Sequence, residues 1–181
     1  MRPFWLILCL FPLLVCAQMH NTERQFSYQK ELKVNLLYVG AGILQVHYEK
    51  HLNPNQSTVI WGSLIDFGFQ GNLMGFEVGA GQRAYFNGTK PNTYFVEPNV
   101  SYLYIEDRYV YSHYNTVGIG ILLGKKWALG NRLGLELYTG PTINFGFVKE
   151  GTLPNKKIDT WAGPLNGIFG RFGLTLNYRF N

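Results

Sequence analysis

Apolar and polar positions alternate with a period of two along most of the chain, and the C-terminal segment shows this pattern most clearly. One side of the segment is apolar and consists of Phe172, Leu174, Leu176, Tyr178 and Phe180. The other side consists of Arg171, Gly173, Thr175, Asn177 and Arg179. Because successive side chains of a β-strand point to opposite faces, the pattern predicts a final strand with one apolar face and one polar face.

Seven further segments alternate in the same way, and runs rich in Gly, Asn and Pro separate most of them. The eight predicted strands cover residues 31–39, 43–52, 57–69, 73–86, 93–105, 116–129, 133–147 and 167–180. Most are at least as long as the roughly 9–11 residues that a strand needs to cross a bilayer. No segment has a 3.6-residue period, so we predict no helix.

Composition supports an all-β fold and indicates which face lies inside. The chain has 21 glycines, 12 tyrosines and 13 phenylalanines, and only 15% of its residues are charged. In the fourth predicted strand, Met74, Phe76 and Val78 share one face, whereas Glu77 and Arg83 share the other face with glycines. A barrel in a membrane turns large apolar residues to lipid and keeps small and charged residues in its narrow lumen.

The sequence therefore predicts an all-β fold, an eight-stranded antiparallel up-and-down transmembrane β-barrel over residues 31–181. The even number of strands places both ends of the barrel on the periplasmic side of a bacterial outer membrane. The alternative interpretation is a secreted soluble β-barrel that binds an apolar ligand in its lumen. It requires the large apolar residues to face inward and the charged residues to face water.

The first residues are typical of a secretory signal peptide. Arg2 precedes an apolar run from Phe4 to Val15, and Ala17 suits a signal peptidase, so we expect cleavage after residue 17. Both cysteines, Cys9 and Cys16, would leave with the signal, and lipidation at Cys16 is a less favoured alternative. Residues 18–30 then form a short N-terminal periplasmic segment.

Charged residues on the predicted inner face are expected to form a lumen charge network. Its members are Glu77, Arg83, Glu97, Glu136, Arg171 and Arg179, and Asp66 is assigned to the same face. An unpaired charge in a narrow lumen is costly, so we expect these groups to pair and keep the lumen closed. Leaky or gated conduction is the alternative.

Two longer predicted loops, residues 106–115 and 148–166, are the candidates for contacts with partners. They carry four aromatic residues that can act as binding hot spots or belong to the girdle at the membrane surface: Tyr109, Tyr111, Tyr114 and Trp161. The expected partners are outer-membrane lipid and lipopolysaccharide, whose phosphates Lys149, Lys156 and Lys157 could contact, and an envelope or surface protein. The net charge of +5 includes no long basic run, so we expect no binding to nucleic acid.

No constellation of residues predicts catalysis, a metal or a cofactor. His47 and Glu49 share the inner face, where a hydrogen-bonded core pair is favoured over a metal or catalytic pair. A lipid-modifying outer-membrane enzyme is the second alternative, with Ser112 and His113 as its candidate residues. Only Glu106 or Asp107 could orient that histidine, so we predict a structural or binding role without catalysis.

Two segments, "LKVNLLYVGAGILQVHYEKHL" and "FEVGAGQRAYF", carry a family-like pattern whose matching positions are Lys33, Asn35, Leu36, Leu37, Tyr48 and Glu49. In this pattern the chain resembles the small eight-stranded outer-membrane β-barrels of Gram-negative bacteria, of the OmpA/OmpX type, and among them an uncharacterised group classed as a domain of unknown function. The resemblance implies a fold and a location but no reaction. It also implies a Glu/Arg pair near the end of a later strand, to which Glu77 and Arg83 would correspond. Tyr178 and Phe180 resemble the C-terminal signal that the outer-membrane assembly machinery reads, although Asn181 follows the phenylalanine.

Overall fold

Eight antiparallel strands close into a barrel in the computed structural model, which describes residues 30–66, 73–87, 92–107, 111–150, 156–157 and 163–180. The strands are β1 (Lys30–Asn35), β2 (Ile43–Asn53), β3 (Gln56–Asp66), β4 (Leu73–Tyr85), β5 (Thr93–Asp107), β6 (Ser112–Ala128), β7 (Leu133–Glu150) and β9 (Gly167–Phe180). A short helix, α1 (Leu36–Gly40), follows β1, and a two-residue strand, β8 (Lys156–Lys157), pairs with β7. The predicted all-β fold with a closed eight-stranded up-and-down barrel is confirmed.

Each of the eight barrel strands pairs with the next one along the chain, and β9 closes the barrel by pairing with both β7 and β1. We call the end that carries Lys30 and Phe180 the terminal end, and the opposite end the loop end. The turns β2–β3, β4–β5 and β6–β7 lie at the terminal end. Closure pairs both edges of most of the barrel. Because β1 is short, residues 167–174 of β9 pair only with β7, and α1 lies beside β9 on the other side.

The register of the strands links eight outward residues into one circuit around the barrel, which we call the apolar ring. Its members, each paired with the next, are Leu32, Tyr48, Ile60, Ala80, Val100, Ile119, Ile143 and Ile168. If the β9–β1 register is extended as far as Ile168, the position opposite Ile168 is residue 42. The circuit began at residue 32, so it returns to the first strand ten positions further along the chain. An offset of this kind means that the strands are tilted strongly to the barrel axis.

Burial is inverted relative to an ordinary globular core. Among the described residues, 23 buried ones are polar or charged and only 8 are hydrophobic, whereas 29 large hydrophobic residues are exposed. Leu64 and Ile168 illustrate the outer face, since 65% and 66% of their surfaces are exposed. The barrel therefore has a polar interior and an apolar exterior.

Inward glycines make room for aromatic rings on neighbouring strands. Gly79 is paired with Trp61, and a Cβ at this glycine would overlap the indole ring. Gly124 lies against the ring of Phe95 in the same way. A narrow eight-stranded barrel is just wide enough for side chains to fill, so each of these large rings requires a glycine beside it.

The first predicted strand ends earlier than expected. It stops at Asn35, and α1 replaces residues 36–39 of the prediction, so the expectation of no helix is wrong here. Continued alternation would have turned Leu37 and Val39 into the polar lumen. In α1 these two side chains are instead 43% and 51% exposed.

The hairpin β5–β6 is longer, and its loop shorter, than predicted. β5 continues to Asp107 and β6 begins at Ser112, with Glu106 paired to His113 and Asp107 to Ser112. β7 likewise extends to Glu150, into the second predicted loop. Polar residues at these strand ends favour a loop in the sequence, although a strand that continues beyond the apolar ring can carry them.

Candidate functional site

The terminal half of the lumen contains a balanced set of buried charges, which we call the lumen cluster. It comprises four carboxylates, Glu31, Glu49, Glu97 and Glu136, and four cations, Lys33, Arg83, Lys126 and Arg179. Each of these residues is at most 5% exposed. Their formal charges cancel, which is the condition under which so many charges can be buried together.

Arg83 lies at the centre of the lumen cluster and binds three carboxylates. Its Nη2 is 2.6 Å from Glu97 Oε2, and its Nη1 is 2.9 Å from Glu136 Oε2 and 3.3 Å from Glu49 Oε2. The guanidinium carbon also lies 3.7 Å from the centre of the Phe95 ring. A planar guanidinium suits this task because it presents several donors in fixed directions and can stack on an aromatic face.

Two lysines and Arg179 supply the other positive charges of the lumen cluster. Lys33 Nζ is 2.5 Å from Glu49 Oε2 and 2.6 Å from Glu136 Oε2. Lys126 Nζ is 2.6 Å from Glu31 Oε1.

The hydroxyls of Ser57 and Tyr85 donate hydrogen bonds to Glu49. Arg179 Nε is 3.5 Å from Glu31 Oε1 and links the final strand to the first.

A second ion pair lies nearer the loop end and is separate from the lumen cluster. Arg171 pairs with Glu77, donates to Ser101 Oγ at 3.2 Å and lies 5.5 Å from the centre of the Trp61 ring. The expected pair between Glu77 and Arg83 is therefore wrong. The two residues are six positions apart on one strand, which separates their Cα atoms by about 20 Å.

Neutral polar side chains occupy the space between the two charged groups. Asn35 Nδ2 donates to Gln45 Oε1 at 2.8 Å, and Gln45 Nε2 donates to Ser63 Oγ at 3.0 Å. His47 Nε2 lies 3.0 Å from Gln45 Oε1, and its ring stacks on Trp61. The expected His47–Glu49 pair is thus replaced by a pair with Gln45, because Glu49 binds the cations of the lumen cluster.

Three neighbouring residues have side chains of the types that bind metal ions. Glu31 and Glu49 belong to the lumen cluster, and His51 lies beside it. Ligand atoms of Glu31, Glu49 and His51 lie within 4.8 Å of one another. However, Lys126 and Lys33 already contact the two carboxylates at 2.6 and 2.5 Å. A divalent cation would have to displace these ammonium groups, so the arrangement favours internal ion pairs over metal binding.

The two candidate catalytic residues lie on opposite faces of β6. Ser112 is buried on the lumen side, whereas His113 lies on the outer side. The His113 ring stacks on Tyr104, and its Nδ1 is 2.8 Å from the Tyr104 hydroxyl. A nucleophile and its base must lie within hydrogen-bonding reach, and this placement separates them.

The four aromatic residues assigned to outer loops have different positions. Tyr111 lies in the β5–β6 turn, is 77% exposed and has a positive φ of 51°. Tyr114 lies within β6, paired with Ile105 and Val148, and not in a loop. Tyr109 and Trp161 lie outside the described residues.

The two residues of the expected assembly signal lie together on the outer face of β9. The rings of Tyr178 and Phe180 stack with centroids 6.5 Å apart. Arg132 Nη1 lies 3.3 Å from the Tyr178 hydroxyl. They therefore form a small aromatic surface at the terminal end.

Sequence reasoning missed some members of the lumen cluster and misassigned one residue. Glu31, Lys33 and Lys126 were not assigned to it, and Glu49 was expected on the inner face only as a partner of His47. Glu31, Lys33 and Glu49 alternate with apolar residues and so carried a usable signal. Lys126 shares its face with Gly118, Gly120 and Gly124, so the period of two also indicated that Lys126, and not Lys125, points inward. Asp66, expected inside, is exposed on the outer face of β3.

Comparisons with protein-family models, curated proteins and solved structures return no match for this chain. No helix within the described part of the chain is long and apolar enough to cross a membrane.

Proposed function

We propose that this chain is a β-barrel of the bacterial outer membrane, embedded in lipid through its apolar exterior and closed inside by the lumen cluster. Its role is structural or binding, without catalysis. The observation that carries the proposal is the apolar ring, in which every one of eight register-linked outward positions is apolar. An aqueous protein rarely exposes a continuous apolar surface of this extent.

The apolar exterior forms a band with polar edges, which supports the proposal. A second set of register-linked outward residues, one step towards the loop end, is also apolar: Val34, Val46, Gly62, Val78, Tyr102, Val117 and Phe145. At the loop end, the outward residues on β5, β6 and β7 change to Glu106, His113 and Lys149. Apart from β1, the barrel strands have 11 to 18 residues, enough to cross a bilayer, which takes roughly 9–11.

The interior supports a closed barrel more than a binding cavity or an open pore. Balanced ion pairs and glycine–ring contacts occupy the described lumen. The alternative function, that of a soluble barrel with an apolar ligand inside, requires the large apolar residues to face inward. Function is therefore proposed for the outer surface and the loop end, where exposed Lys149 is available to lipopolysaccharide phosphates or to an envelope partner.

Export through a cleaved signal at residues 1–17 and insertion by the outer-membrane assembly machinery belong to the same proposal. Residues 1–29 lie outside the described residues. The aromatic surface of Tyr178 and Phe180 at the end of β9 is the part of the proposed assembly signal that the fold presents outward.

Substituting one residue of the apolar ring tests the proposal. Ile119→Arg places a charge near the middle of β6, where lipid contact makes it cost about 2–4 kcal/mol. Gln82→Arg, on an exposed outward residue of β4 nearer the terminal end, is the matched control. We expect Ile119→Arg to reduce the folded fraction in lipid vesicles and the urea midpoint, and Gln82→Arg to have little effect. Equal behaviour of the two variants would argue for an exterior in water.

A further inference from the structure

A groove of about 570 Å³ crosses the outer surface of β5, β6 and β7 towards the terminal end. Tyr94, Leu123, Leu137 and Thr139 form its sides. Its floor is at Gly124, where the missing side chain leaves the buried Phe95 ring behind the wall of the barrel. The volume falls within the roughly 300–1,000 Å³ that is typical of ligand sites.

Lys125 is the one charged residue among the described residues that line this groove. It pairs across the sheet with Tyr94 on β5 and Leu137 on β7. Its Nζ lies 4.9 Å from the centre of the Tyr94 ring and 5.3 Å from that of Trp127. Two aromatic rings thus flank the ammonium group of Lys125, a half-buried residue, and none of the described lining residues is a carboxylate that could neutralise it.

We propose that the groove binds one anionic glycerophospholipid, with its phosphate at Lys125 and an acyl chain along Leu123 and Thr139. This inference rests on the proposed membrane location. Tyr and Trp rings favour the headgroup level of a bilayer, and a lysine there attracts anionic lipid. Lys125 is three residues from the end of β6 at the terminal end, which places the headgroup at the edge of the apolar band.

The construction of the groove favours a lipid over a peptide. β5, β6 and β7 are paired on both sides over most of the groove, so they offer no free edge to which an extended peptide could add as a strand. The side walls are mostly apolar, which suits a hydrocarbon chain. The single cation at one end then selects the headgroup by charge.

Lipid preference can be measured by quenching of tryptophan fluorescence in vesicles. The protein carrying Trp161→Phe is folded into mixed phosphatidylcholine and phosphatidylglycerol vesicles in which one lipid at a time carries brominated chains. Trp127, beside Lys125, reports the local lipid, and a Trp161→Phe background removes one other tryptophan. We expect phosphatidylglycerol to be enriched about fivefold near Trp127, the ratio that one lysine at an anionic surface provides.

Three variants separate the groove from general surface charge. Lys125→Gln should abolish the enrichment, and Thr139→Phe, which fills the groove without changing charge, should reduce it. Lys50→Gln removes an exposed lysine on β2, on the opposite side of the barrel, and should leave it unchanged. Enrichment that survives Lys125→Gln, or that falls equally with Lys50→Gln, would overturn the inference.

The gel shift on boiling is recorded for each sample before quenching. A chain that enters vesicles, shows the shift and has no lipid preference would contradict the lipid site alone. A chain that fails to enter vesicles would contradict the proposed membrane location and the lipid site with it.

Discussion

Arg83 shows how a single residue can hold much of the lumen together. It is 2% exposed, contacts Glu49, Glu97 and Glu136, and packs on Phe95. The strands that carry the three carboxylates are β2, β5 and β7, so one side chain on β4 connects separate parts of the barrel. Such a contact resists any change in barrel shape that would move these strands apart.

Replacing Arg83 by Ala should destabilise the barrel strongly. The substitution leaves buried carboxylates without their main partner, and removing one member of a buried ion pair costs about 3–5 kcal/mol. Urea unfolding in vesicles or micelles measures the change in free energy. Lys50→Ala, at an exposed position on β2, is the control and should stay within about 0.5 kcal/mol of the wild type. A loss for Arg83→Ala no larger than for the control would contradict a packed lumen cluster.

At the scale of the element, strand pairing depends on which inward residues are small. Gly79 on β4 lies opposite Trp61 on β3, whereas Gly62, the next residue of β3, faces outward and has open space where a Cβ would lie. The two glycines are close in the same hairpin but have different surroundings. Their comparison isolates packing inside the lumen from the strand preference of glycine.

Gly79→Ala should therefore destabilise the barrel while Gly62→Ala does not. The methyl group at position 79 would force the Trp61 ring or the backbone to move, and overpacking of this kind costs about 1–3 kcal/mol. Unfolding midpoints of the two single variants provide the comparison, and adding Trp61→Leu to Gly79→Ala should recover part of the loss. Equal midpoints for the two alanine variants would show that the ring does not occupy this space.

The alternation of residues predicted the faces of the strands well but not their ends or their partners. The inward positions of Arg83 and Glu136 follow from a period of two, which is a local property of the sequence. The pair between Glu77 and Arg171 spans 94 positions and depends on registers around the whole barrel, which no local pattern contains. The end of β1 at Asn35 was also missed, because Leu36 and Leu37 suit an apolar strand as well as a helical turn on the outside.

At the scale of the whole molecule, the small barrel and its balanced charges favour a lumen that does not conduct. Eight strands leave an interior that side chains fill, and open aqueous channels occur in barrels of about 16 strands. The lumen cluster adds direct ion pairs across this interior, such as Lys33 with Glu136 at 2.6 Å. Water and ions would have to break these pairs to pass.

Vesicles that contain the folded protein should therefore be no more permeable to ions than protein-free vesicles. A fluorescent ion-flux assay measures this permeability, and a known open porin in the same vesicles serves as the positive control. Steady conductance of the wild-type barrel in planar bilayers would contradict the closed lumen.

The membrane location is the central claim, and fractionation of the expressed protein followed by gels with and without boiling tests it most directly. A folded membrane barrel resists SDS until it is heated, so its band should shift on boiling and should appear in the outer-membrane fraction. A soluble periplasmic or secreted band that boiling leaves unchanged would contradict the account.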